Sequence, residues 1–174
     1  MSTPLAKLSV LVCKEFTCVK IAGRANFMSS PDFKTLLTEL NQKGYDRFII
    51  DLSECVLMDS TFLGVLAGFG LKTNPGCEPG KRKIELLNPS ARIRELLENL
   101  GVLSLFMVTA SAPSLPGDAE VSASVPGNPT QEQITRTCLE AHKILMAVNP
   151  ENVARFKDVT QFLVEDLKNL EKCS

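Results

Sequence analysis

The apolar positions of the chain fall into short runs separated by amphipathic stretches. Residues 8–12 and 17–21 are aliphatic and β-branched, and they read as two strands joined by a tight turn around Lys14-Glu15. Gly23 breaks that pattern. Ser29-Ser30-Pro31 then opens a helix, because a serine cap followed by proline in the first turn is a start signal. Phe33, Leu36, Leu37 and Leu40 recur at helical spacing and give it one apolar face, and Gly44 ends it. Residues 48–52 are nearly all apolar, as expected of a strand covered on both faces. A short loop leads to Asp59-Ser60, where a second helix begins with Leu63, Leu66, Ala67 and Gly70 on one side, and Asn74-Pro75-Gly76 closes it. Residues 83–87 are the next strand. Pro89-Ser90 starts a helix with Ile93, Leu96, Leu97 and Leu100 facing inward, Gly101 terminates it, and residues 105–109 form the last strand. Strands alternating with helices of this length predict an α/β layer fold with largely parallel central strands.

The pattern changes near residue 110. Residues 111–130 carry Pro113, Pro116, Pro126 and Pro129 among Ser, Gly and Ala, a composition that predicts a flexible linker without regular structure. Beyond it, Ile134, Cys138, Ala141, Leu145 and Val148 form one helical stripe, and Asn149-Pro150 interrupts it. Val153, Phe156, Val159, Leu163, Leu167 and Leu170 form a second stripe. Two such helices with a short break predict an antiparallel hairpin. A lone hairpin leaves its stripes wet, so they need cover from the first domain, a second copy of the chain or another protein. Docking or self-association through residues 131–172 is the favoured expectation. The chain therefore divides into an α/β domain over 1–110, a linker over 111–130 and a helical extension over 131–174.

Composition narrows the function classes. The 174 residues are 44% hydrophobic, enough for one ordinary domain with an appendage. Nineteen basic residues against twenty acidic ones give a net charge of −1, which argues against a nucleic-acid surface. No apolar run approaches the ~20 residues needed to cross a bilayer. The balanced charge of residues 131–172 provides no cationic face for a membrane surface. The N-terminus lacks the apolar stretch of a signal peptide, so a cytoplasmic location is expected. The six cysteines include no C-x-x-C pair. Cys138 and His142, the only histidine, share a helix face, but a structural zinc needs four ligands and no second pair is visible, so neither metal nor cofactor is expected. Gly64, Gly68 and Gly70 lie inside a helical pattern, where close packing of helix on sheet explains them better than a phosphate loop. Lys81-Arg82-Lys83 reads as a solvated loop. With His142 on the far side of the linker, no Ser–His–carboxylate arrangement is expected, and the chain reads as no enzyme.

The most informative segment runs from Asp51 to Leu66, where a buried strand ends and Asp59-Ser60 stands at a helix start. The first turn of a helix presents unpaired N–H groups and a partial positive charge, a favourable field for a phosphate on Ser60. The plainer alternative is that Asp59 or Ser60 is only the helix cap.

Val56-Leu57-Met58-Asp59-Ser60-Thr61-Phe62-Leu63-Gly64-Val65-Leu66 resembles the signature of the STAS family, the bacterial anti-sigma factor antagonists. Ile21-Ala22-Gly23-Arg24-Ala25-Asn26 is similar to the family's Gly-x-Leu-Asp turn, and Leu86-Leu87-Asn88-Pro89-Ser90 with Leu96–Val102 is similar to the strand and helix near its C-terminus. The resemblance implies a STAS-like mixed β-sheet with packed helices, extended here by the helical hairpin. It implies an antagonist that binds a serine-kinase anti-sigma factor and frees its sigma factor. The kinase would phosphorylate Ser60, and a phosphatase would reset the switch. Gly23, Arg24, Ala25, Asn26, Asp59, Ser60, Thr61 and Phe62 would line the partner surface, with Ser60 exposed. Two residues depart from the family pattern. Phe62 replaces a small residue, usually Gly, so its ring either enlarges the contact patch or turns into the core, and Asn26 replaces an Asp. The alternative is a STAS scaffold module in a larger signalling assembly, never phosphorylated, with Ser60 as a cap.

Overall fold

The computed structural model describes residues 6–73, 83–110, 120–123 and 127–173. The expected turn at Asn74-Pro75-Gly76 lies outside them, as do Cys77, Lys81 and Arg82. Strand β1 (Lys7–Val12) pairs antiparallel with β2 (Thr17–Ala25), Val10 facing Val19. The second strand runs on past Ile21, where the sequence pattern had ended it. Gly23 is not a terminator: at φ +90° it sits where the register shifts, a bend inside the strand that only glycine adopts without strain. The continuation pairs in parallel with β4 (Cys55–Met58), a strand that the sequence reading took as loop.

Helix α1 (Ser30–Gln42) buries Phe33, Leu37 and Leu40, and Gly44 past its end takes φ +98°. Strand β3 (Phe48–Asp51) leads through β4 to helix α2 (Ser60–Thr73), then β5 (Ile84–Leu87) and α3 (Ala91–Asn99). The side chain of Ser90 caps α3 by accepting from the Ile93 amide at 3.2 Å. A single 3-10 turn (Leu103–Leu105) precedes β6 (Met107–Thr109), shorter than the expected strand. The sheet order is β6-β5-β3-β2-β1 with one further strand, β7 (Glu120–Ala123), on the outer edge. Strands β2, β3, β5 and β6 are parallel, as the α/β pattern predicted, and β1 pairs antiparallel with its two neighbours. The segment β7 corrects the reading of 111–130 as devoid of regular structure: between its prolines this stretch contributes a short edge strand against residues 9–12.

Helix α4 (Gln131–Val148) and helix α5 (Glu151–Lys172) form the expected hairpin. Arg136 near the start of α4 meets Glu171 near the end of α5 at 3.2 Å, so the helices run antiparallel. A full capping box at Thr130 and Gln133 starts α4. The hairpin docks on the α/β domain, and α4 lies across α2, so α2 is held between the sheet and α4. Ala141 and Leu145 belong to the same core as Val19, Ile50 and Leu66. This also corrects the reading of the glycines. A Cβ on Gly64 would come within 2.6 Å of the Ala141 carbonyl oxygen, and one on Gly68 within 2.7 Å of Ile144 Cδ1. Both serve the approach of helix on helix, and of the three only Gly70 faces the domain itself, where a Cβ would stand 3.1 Å from the Phe106 ring.

The hairpin turn is clamped separately. Asn152 is fully buried, and its Nδ2 donates to the carbonyls of Leu100 (2.9 Å) and Leu145 (2.8 Å). Arg155 donates to the Asn99 carbonyl at 3.0 Å. Gly101, at φ +73°, ends α3 and leaves room for Asn149, whose Nδ2 would stand 2.6 Å from any Cβ there. Burial of a side chain that bridges two segments by hydrogen bonds fixes their relative placement more sharply than apolar contact does.

Candidate functional site

The site begins at the mouth of the parallel strands, where β4 hands over to α2. Asp59 is the helix cap. Its Oδ1 accepts from the Phe62 amide at 2.8 Å and its Oδ2 from the Phe27 amide at 2.7 Å. One carboxylate therefore starts α2 and ties the loop after β2 to it. Burial pushes the Asp59 carboxyl above its ordinary range, against the opposing pull of those two amides and of His142.

Ser60 follows in the first turn, half-buried rather than open as expected. Its Oγ lies 2.9 Å from His142 Nε2. His142 Nδ1 lies 2.7 Å from the Cys138 carbonyl. A carbonyl only accepts, so Nδ1 donates to it, which leaves Nε2 facing the Ser60 hydroxyl, accepting from it whenever Nε2 carries no proton. The next residue repeats the link: Thr61 Oγ1 donates to Cys138 Sγ at 3.7 Å. Burial pushes the Cys138 thiol up, and the same cause takes Cys18 and Cys55 to about 11.

The sequence places His142 on the far side of the linker, and the structure sets it beside a serine. The hairpin carries it back over the start of α2. The Ser60–His142 geometry is that of a hydroxyl beside a base, yet Nδ1 is held by a backbone carbonyl and not by a carboxylate. A half-open cavity of about 190 Å³ between α1, α2 and α4 is lined by Lys34, Leu37, Val65, Phe69 and Ile144, and by neither member of the pair. Among the described residues no cluster of three or more His, Cys, Asp or Glu side chains is placed to hold a metal ion.

The expected partner surface divides. Arg24 is exposed, and Gly23, Asn26, Asp59 and Ser60 are partly accessible along the same edge. Ala25, Thr61 and Phe62 are not: they are 0%, 4% and 0% exposed. The Phe62 ring turned inward and stacks on Phe33 at 4.3 Å and 14°, so it belongs to the core and not to a contact patch. Two residues that sequence reasoning missed stand in its place. Phe27 and Met28 are about half exposed on the loop tied to Asp59. Their signal was available: two large apolar side chains directly before the helix-opening serines, outside any stripe.

The family model described as STAS domain matches residues 8–114. The anti-sigma-B factor antagonist of Staphylococcus aureus (strain NCTC 8325 / PS 47) is 29% identical over 94 residues, spanning 54% of this chain and 83% of that protein. Among solved structures, a candidate anti-sigma factor antagonist from Thermotoga maritima superposes with a TM-score of 0.52 at 16% identity, covering 59% of this chain and 85% of its own. The unphosphorylated form of the anti-sigma factor antagonist SpoIIAA gives 0.46 at 18% identity, over 62% of this chain and 89% of its own. Helices α4 and α5 lie beyond the matched residues. Among the described residues no helix is long and apolar enough to cross a membrane.

Proposed function

We propose, from the premise that this chain belongs to the STAS domain family, that it is an anti-sigma factor antagonist working as a phosphorylation-controlled partner switch. In this reading the chain binds a serine-kinase anti-sigma factor and so frees the sigma factor. The kinase phosphorylates Ser60, the complex parts, and a phosphatase restores the hydroxyl. The chain supplies a substrate hydroxyl and a docking surface and catalyses nothing itself.

The observation that carries this is the placement of Ser60 directly after the capping Asp59, in the first turn of α2. The amides there and the helix field favour an anion, and a phosphate adds about −1.5 to −2 charge at pH 7. That charge would stand next to Asp59, whose carboxylate ties the loop carrying exposed Phe27 and Met28 to the start of α2, where the partner is expected to dock. Desolvating a dianion against a surface shaped for a neutral hydroxyl costs several kcal/mol, enough to part a transient complex.

The test is phosphate transfer from γ-labelled ATP in an extract of the native cell. Wild-type chain is expected to take up label at Ser60, and Ser60→Ala none. Undiminished labelling of Ser60→Ala removes Ser60 from the mechanism, and Thr61 is a poor substitute because it is buried.

A second reading has one observation in its favour. The Ser60 hydroxyl is already engaged by His142, as a purely structural cap-side contact would be. A STAS scaffold module that is never phosphorylated would show a single unmodified intact mass when purified from its native cell under every growth condition.

A further inference from the structure

The extension contributes the side chain that lies against the Ser60 hydroxyl. Ser60, Gly64 and Gly68 are spaced four apart and so form one line along α2. That line is the seam against α4: Ser60 meets His142, Gly64 meets Ala141 and Gly68 meets Ile144. The seam is tight enough that even a methyl group at Gly64 would overlap the Ala141 backbone. His142 has no free direction in which to retreat. It is 5% exposed, its Nδ1 is tied to the Cys138 carbonyl, and its ring stands edge-on to Phe156 of α5 at 4.8 Å.

We propose that the C-terminal hairpin is a cover for Ser60 built into the chain, and that a seated α4 and a phosphate on Ser60 exclude one another. The proposal rests on the reading of Ser60 as a phosphoacceptor. In the transfer, Ser60 Oγ bonds to the γ-phosphorus of ATP and the bond to the bridging oxygen breaks. ADP leaves, and the hydroxyl proton passes through the kinase's base to water. The product carries three more oxygens where a ring nitrogen now stands at hydrogen-bond distance. It also brings a near-dianion beside the half-buried carboxylate of Asp59. The helix field still favours the anion, so what the phosphate cannot share is the space under the seam, and the displaced element is α4. Its departure uncovers Ile134, Cys138, Ala141 and Leu145 as one apolar stripe. Conversely, the kinase reaches Ser60 only while the hairpin is lifted, so the unphosphorylated chain guards its own hydroxyl. A packed seam of this kind has two states, seated or released, and does not yield gradually.

Phosphoserine placed at position 60 of the full chain during translation tests this without the kinase. The readout is the alkylation rate of each cysteine by iodoacetamide, followed by peptide mass spectrometry. Cys138 lies under the seam, and Cys55 in the main core serves as the reference. Phosphorylated chain is expected to react at Cys138 about tenfold faster than unphosphorylated chain, or more, with Cys55 unchanged. Equal Cys138 rates would mean that His142 accommodates the phosphate with α4 seated, which overturns the proposal and leaves the partner switch standing. A parallel rise at Cys55 would mean that the domain itself has opened, which also overturns it. If instead Ser60 is never labelled in native extract, the partner switch fails while the Cys138 result still decides the cover.

Discussion

Phe62→Ala is expected to lower the unfolding free energy by about 3–5 kcal/mol, the range for removing a large aromatic side chain from a packed core. The ring is fully buried and stacked on Phe33 of α1, so truncation loses its transfer energy, opens a cavity and removes a stacked pair worth about another 0.5–1.5 kcal/mol if the site cannot collapse. Urea unfolding followed by circular dichroism reads this directly. A contact-patch residue at this position would give a change within about 0.5 kcal/mol in the free chain. The two outcomes are well separated, although Phe62 is only two residues from Ser60 in the sequence.

Removing the hairpin should be the other large effect. A chain ending at Thr130 keeps β7 but leaves the outer face of α2 without cover. Leu145 is fully buried and Ala141 nearly so, while Gly64 and Val65 of α2 lose the neighbours that shield them. The truncation removes the burial of Leu145 and Ile134, each contributing about 1.5–3 kcal/mol before the cost of ordering the hairpin is set against it. The clamp of Asn152 and Arg155 on the end of α3 is lost as well. The shortened chain is expected to melt well below the full chain, and by light scattering to self-associate through the bared α2 face. Two monomers of equal thermal stability would contradict the docked hairpin.

Much of this was legible in the pattern of residues, because helix caps and stripes are local. Ser29-Ser30-Pro31, Ser90 and Asn149-Pro150 each mark a helix boundary within a residue or two. The STAS signature around Asp59-Ser60 located the site. What was missed is non-local. Strand β4 has only four residues and no alternation that outlasts its loop, and it exists because β2 bends at Gly23 to meet it. The strand within 120–123 is hidden among prolines and depends on the free edge of β1. The cover on Ser60 had a signal that went unread. Thr61, Gly64 and Val65 make α2 apolar on the side away from the sheet too, and a helix apolar all round must be buried all round. Beside it stood a stripe on residues 134–148 with nothing yet to cover. Matching the two would have placed His142 over Ser60, and it would have shown that this stripe covers α2 of the same chain.

The most direct measurement is a quantitative pull-down from native extract with wild-type and Ser60→Asp full-length baits, read by mass spectrometry. The account predicts that wild type recovers a serine-kinase anti-sigma factor and that Ser60→Asp recovers about tenfold less, a difference of about 1.4 kcal/mol in binding. Equal recovery of that kinase by both baits, or recovery of no kinase by wild type, would contradict it.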